Sequence, residues 1–152
     1  MLNDYDNGAG KDFFNFRNEQ TKHIDELSVK YTISDDLPLS LTAGTCFWGA
    51  DKQIDYIDST GVTIFKNKNN FSTYLESYYP FYLNNDITIT PLVGLTTHES
   101  YTYASEGFGF INVGFAVDKK LRITEKFAVT INYSFIFNHE LNQVHSLMSI
   151  TF

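Results

Sequence analysis

The side chains able to do chemistry are few and scattered. His23, His98, His139 and His145 show no metal-ligand spacing such as H-x-x-x-H, and loop or inner-wall histidines explain them without a metal. Asp51, Asp55 and Asp58, in "GADKQIDYIDSTG", could gather oxygens around a calcium ion, but their spacing does not match the EF-hand pattern, and a solvated acidic surface loop is the simpler reading. The single cysteine, Cys46, excludes an internal disulfide and a Cys-rich zinc site, which leaves it as a small strand residue. No cofactor and no metal are expected. Three further charged residues, Glu26, Lys30 and Glu76, fall inside apparent strands, where a charge needs a polar surrounding.

Those strands must position whatever function there is. The chain has 152 residues, enough for one domain with a sizeable core, and its 43% hydrophobic and 16% aromatic content is that of a folded protein. Phe 14 and Tyr 10 against Met 2 and Trp 1 favour strands. A net charge of -7 argues against a nucleic-acid partner, since phosphate binding needs an excess of Lys and Arg. The longest apolar run, "FGFINVGFAV" at 108–117, is broken by Gly109, Asn112 and Gly114 and is too short for a membrane-spanning helix. A barrel crosses with alternating strands of about 9–11 residues and stays open as a possibility. "MLNDYDNGAGKD" is acidic and lacks the apolar segment of a signal peptide, so either the protein stays in the cytoplasm or its start is missing.

Period-two alternation predicts strands over 22–33, 37–48, 70–82, 86–97, 107–123, 126–138 and 143–152, with no amphipathic helix. The third of these is the least certain in its phase. In 126–138, Phe127, Val129, Ile131, Tyr133, Phe135 and Phe137 alternate with Ala128, Thr130, Asn132 and Ser134. "SDD" near 34, "NND" at 84–86 and "TEK" at 124–126 read as tight turns, and 49–69, 98–106 and 138–142 as longer loops. Pro80 and Pro91 fall within predicted strands, so a bulge or strand end is expected at the first and a local break near the second.

The non-apolar phase is mostly Ser, Thr, Gly and Asn, with charges concentrated in turns and loops. A water-soluble barrel should carry abundant charges outside and large side chains inside. A lipid-facing exterior around a polar lumen fits better, with short turns on one rim and long loops on the other. The expected fold is therefore an all-β, antiparallel, up-and-down transmembrane β-barrel, a single domain over 1–152 with about seven to eight strands. Glu26, Lys30 and Glu76 would line the lumen, and Lys30 on the lipid side would cost up to about 2–4 kcal/mol. Outer-membrane lipid is the expected surrounding, and the oligomeric state is left open.

Four stretches, "HIDELSVKYTISDDLPLSLTAGTCFWGADK", "FSTYLESYYPF", "DITITPLVGLTTHESYTY" and "INVGFAVDKKLRITEKFAVTINYSFIFN", resemble the TorF-like porin family of Bacteroides-type bacteria. The likeness covers nearly the whole chain through patterns of strand and turn. It implies a bacterial outer-membrane barrel of roughly a dozen strands behind a signal peptide, acting as a passive pore for small solutes and not as an enzyme. An odd count of seven full strands points the same way, toward a chain lacking its N-terminal portion, with 1–21 the tail of an earlier strand followed by an outer loop. The closing "VHSLMSITF", with Phe152, Ile150 and Met148 on one phase, resembles the C-terminal signal that barrel-assembly machinery reads. "FNHELNQVHS" at 137–146 faintly resembles the F-x-H-x-S-N pattern of outer-membrane lipid A deacylases through Phe137, His139 and Asn142. Leu141 stands where the serine should be, so His139 has no hydroxyl to deprotonate. A lipid-modifying enzyme and a soluble barrel binding an apolar ligand remain the alternatives.

Overall fold

The computed structural model describes residues 2–6, 16–17, 21–84 and 86–152. Its elements are strands: β1 (Leu2–Asp6), β2 (His23–Thr32), β3 (Ser40–Gly49), β4 (Lys52–Ile57), β5 (Thr63–Asn69), β6 (Thr73–Tyr78), β7 (Phe81–Asn84), β8 (Ile87–Thr96), β9 (Gly109–Thr124), β10 (Phe127–Asn138) and β11 (Gln143–Thr151). No helix occurs among the described residues. The seven alternating segments of the sequence thus become β2, β3, β6 with β7, β8, β9, β10 and β11.

Spatial order follows chain order. The main sheet runs β1-β2-β3-β6-β8-β9-β10-β11, with β7 also on β8, and β4 and β5 form a separate two-stranded ladder. The ladders β1 with β2, β7 with β8, β9 with β10 and β10 with β11 are antiparallel. This is an all-β antiparallel meander with the strand order of an up-and-down barrel. β1 pairs Leu2–Asp6 with Leu27–His23. The expected outer loop after it lies largely outside the described residues.

Side-chain phase decides which face each residue takes. In β3, Ser40 is 4% exposed and Cys46 1%, while their neighbours Leu41 and Phe47 are 45% and 41% exposed. The same inversion holds in β2, where Leu27, Val29 and Tyr31 are exposed. Across β9, β10 and β11 one face pairs Phe115 with Phe135, Ile131 with Ile150 and Tyr133 with Met148. The other face joins polar side chains across strands, Asn132 Nδ2 to Asp118 Oδ1 at 2.8 Å and Asn138 Nδ2 to Asn112 Oδ1 at 3.2 Å.

Each short turn is held by a polar side chain near its start, as turn chemistry favours. Ser34 Oγ accepts from the Leu37 N–H at 3.0 Å, Asn84 Oδ1 from the Asp86 N–H at 2.9 Å and Thr124 Oγ1 from the Lys126 N–H at 3.3 Å. The long connections alternate with these turns, as the sequence predicts. The first of them, 49–69, is not an irregular loop, however, since it folds into the β4–β5 hairpin.

The prolines behave differently from each other. Strand structure stops at Tyr78 and resumes at Phe81, so Pro80 marks the expected strand end. No break occurs at Pro91, and β8 runs through it. The irregularity falls on the partner instead, because Tyr79 N–H donates to the Pro91 carbonyl at 3.4 Å while Pro91 has no N–H to return. The Thr97 N–H donating to the Thr73 carbonyl and Phe81 lying opposite Ile89 keep β6 and β7 in one register against β8. β6 and β7 are therefore one strand interrupted at Tyr79–Pro80.

Residue contacts divide the chain into two compact units. One comprises Met1–Lys30, Thr42–Leu75 and Thr96–Gly109, and the other Tyr31–Leu41, Glu76–Leu95 and Phe110–Phe152. The second contains the three short turns and the β9–β10–β11 ladders. The first contains most of the buried residues, and these are chiefly polar: Thr21, His23, Asp51, Ser72, Thr96, Ser100 and Ser105 beside Ile24 and Cys46.

Candidate functional site

That polar core is built where β3 turns into β4. Gly49 ends β3 at φ +94°, a left-handed value, and any Cβ there would lie 2.0 Å from the His23 carbonyl oxygen. The tight approach lets Ala50 N–H donate to the same carbonyl at 2.7 Å and brings the next residue, Asp51, under the sheet end. Asp51, Ser72 and Ser100 are each at most 2% exposed. Burying a carboxylate this deeply is costly unless its oxygens are hydrogen-bonded.

Three donors meet that need. Asp51 Oδ2 accepts from the Ser72 N–H at 2.8 Å, and Oδ1 accepts from Ser72 Oγ at 2.5 Å and from Thr102 Oγ1 at 2.7 Å. Because the Ser72 hydroxyl donates to Asp51, its 2.6 Å partner Ser100 Oγ must be the donor of that pair. Asn70 Nδ2 adds a donor to Ser72 Oγ at 3.0 Å and another to the Glu99 carbonyl at 2.8 Å. Ser100 in turn accepts from the Tyr103 N–H at 3.1 Å and exchanges backbone bonds of 2.8 Å with Ser105. His98 Nε2 donates to the Asn70 carbonyl at 3.1 Å, and its Nδ1 is hydrogen-bonded to Thr97 Oγ1 at 2.8 Å. The β3–β4 turn, the β5–β6 connection and the loop between β8 and β9 are thereby tied to one carboxylate.

The consequence falls on Tyr103. Its hydroxyl donates to Glu26 Oε2 at 3.3 Å and lies 3.9 Å from Cys46 Sγ, and its ring centre is 5.7 Å from that of Tyr74. Glu26, Cys46 and Tyr74 belong to the polar phase of β2, β3 and β6, so a loop residue covers a patch of that face. Gly44 makes room for the Glu26 carboxylate: a Cβ there would come within 2.9 Å of Glu26 Oε1. Burial, and then the negative charges that Cys46 and Glu26 can carry, push the Tyr103 hydroxyl well above its ordinary pKa, so it remains a donor.

Among the residues expected to line a lumen, Glu26 is drawn into this cluster. Lys30 lies exposed further along β2, and Glu76 is half-buried on β6, outside the Tyr103 contacts. Asp51, Asp55 and Asp58 are not gathered. Asp51 is buried among hydroxyls and is no solvated loop residue, Asp55 lies 3.7 Å from Lys66 Nζ, and Asp58 caps its own turn through Thr60 and Val62. His139 sits in the β10–β11 turn 3.9 Å from Glu140, while Ser146 Oγ donates to the Tyr133 hydroxyl on the apolar phase. Met148, Ile150 and Phe152 are exposed, as is every residue of β11.

Comparison with family models, curated proteins and solved structures finds no match.

Sequence periodicity could not reveal the Asp51 cluster, because its members lie 21 to 51 positions apart. The one local signal is the density of hydroxyls in "ESYTYAS" at 99–105, next to a strand that already carries a polar phase.

Proposed function

We propose that this chain forms the wall of a bacterial outer-membrane β-barrel that lets small solutes pass, without catalysis. The observation that carries the reading is the inverted distribution of side chains. Leu27, Val29 and Tyr31 of β2 and Leu41 and Phe47 of β3 stand exposed, while Ser40 and Cys46 of β3 and Thr96 of β8 are buried. In water this arrangement forgoes about 1.5–3 kcal/mol for each large apolar side chain left uncovered. In hydrocarbon the same face is matched to its surroundings. Turn and loop lengths alternate as they do in such barrels. Glu26, Lys30 and Glu76 line the polar passage on this reading, with outer-membrane lipid against the apolar phase. Phe152, Ile150 and Met148 form the signal for the barrel-assembly machinery.

The test is reconstitution. Protein refolded into phospholipid vesicles should float with them and raise the efflux of entrapped small sugars and ions. Insertion without any flux would remove the pore, and a monomer soluble without detergent would remove the membrane.

A further inference from the structure

We infer that the β8–β9 loop is the constriction of this pore, with Tyr103 and Glu26 as the residues that select solutes and Asp51 as the residue that positions them. The inference rests on the pore reading for its functional consequence, whereas the loop cover itself stands on geometry alone. Outer loops of a barrel are ordinarily free to lie over solvent. This one is folded back through Ser100 and Thr102 onto a buried carboxylate, and its Tyr103 reaches the polar phase of three different strands.

Shape and charge give the selectivity a direction. The cover is edged by the phenol rings of Tyr103 and Tyr74 and by the Glu26 carboxylate. A carboxylate beside a narrow passage repels anions and concentrates cations. Ring faces and phenol hydroxyls accommodate neutral hydroxylated molecules through stacking and hydrogen bonds. Small cations and neutral polyols are therefore the solutes that pass, and anions are held back. The bulk of Tyr103 sets the size limit.

The protein carries its own reporter. Cys46 is the single cysteine, is 1% exposed and lies beneath Tyr103. In vesicle-inserted protein, a small membrane-impermeant thiosulfonate should modify Cys46 slowly. Tyr103→Ala and Asp51→Ala should each raise that rate at least about tenfold, while heat-dependent gel mobility shows the barrel still folded. Tyr103→Phe keeps the ring and should stay within about threefold of the unaltered rate. In parallel, Tyr103→Ala should admit larger sugars, and Glu26→Gln should reduce the preference for cations over anions.

Rapid modification of Cys46 in the unaltered folded protein, or equal rates in all variants, overturns the cover. Modification that responds as expected while no variant passes any solute leaves the cover standing and removes the pore beneath it. Flux that responds to neither Tyr103→Ala nor Glu26→Gln in a conducting protein overturns the selective role. If Asp51→Ala fails to fold, Tyr103→Ala alone decides, since it leaves the hydrogen bonds of Asp51 in place.

Discussion

Asp51 has an importance at the residue scale that its neighbours in sequence conceal. It reads as one of three aspartates in a polar loop, and only the fold brings Ser72 and Thr102 to it from 21 and 51 positions away. Removing its carboxylate leaves two hydroxyls and one N–H without their acceptor, and each unsatisfied buried donor costs about 1–3 kcal/mol. Asp51→Ala should therefore lower stability by about 3 kcal/mol or more in urea unfolding from detergent micelles. Asp51→Asn should cost less, because one oxygen survives. Asp58 behaves in the opposite way, held in an exposed turn. The Thr60 hydroxyl, then the Val62 and Thr60 N–H groups, bond to it and lower its pKa below the ordinary aspartate value. A depressed carboxylate contributes turn stability above its unfolded pKa and loses it as pH falls through the folded one. Amide signals of Thr60 and Val62 should accordingly titrate with a midpoint below 3.8, the ordinary value.

Among the elements, legibility followed regularity. The predicted strands stood out because one face is largely apolar, least clearly in 70–82, and the phase that alternation assigns to β3 is the one seen, Ser40 and Cys46 within and Leu41 and Phe47 without. The β4–β5 hairpin escaped for a physical reason. Its register shifts between Lys52 and Ile54 and again between Ile54 and Tyr56, and each shift breaks the two-residue period by which a strand is recognised. Pro91 misled in another way, since a proline is tolerated inside β8 when the partner strand takes the interruption. Pro91→Val should supply the missing N–H to the Tyr79 carbonyl, joining β6 and β7 and adding about 0.5–1.5 kcal/mol. Hydrogen exchange checks this directly: the new amide at 91 should be protected, and free exchange there would show that the interruption has another cause.

For the molecule as a whole, the meander order and the turn chemistry were readable from local sequence, whereas its loop cover depends on long-range contacts. The end of β11 offers a separation of roles. Phe152 is 91% exposed and Phe135 packs against Phe115 with ring centres 5.9 Å apart. Phe152→Ala should lower outer-membrane levels in cells while refolding into detergent nearly normally, and Phe135→Ala should impair refolding more. Equal losses in both assays for both variants would reject the signal role of Phe152.

Which medium meets the apolar face is decided most directly by placing one charge on each face of the same strand. Leu27 and Ser28 are neighbours in the middle of β2, with Leu27 exposed on the apolar phase and Ser28 half-buried on the polar one. The measurement is the unfolding free energy of Leu27→Arg and Ser28→Arg in protein refolded into phospholipid vesicles. A lipid-facing wall predicts a loss of about 2–4 kcal/mol for Leu27→Arg and a smaller loss for Ser28→Arg, since arginine at the bilayer midplane is penalised and a charge in an aqueous lumen is not. A sheet whose apolar phase faces water gives the reverse order, with Leu27→Arg neutral and Ser28→Arg the costly change, and that result would contradict the membrane assignment.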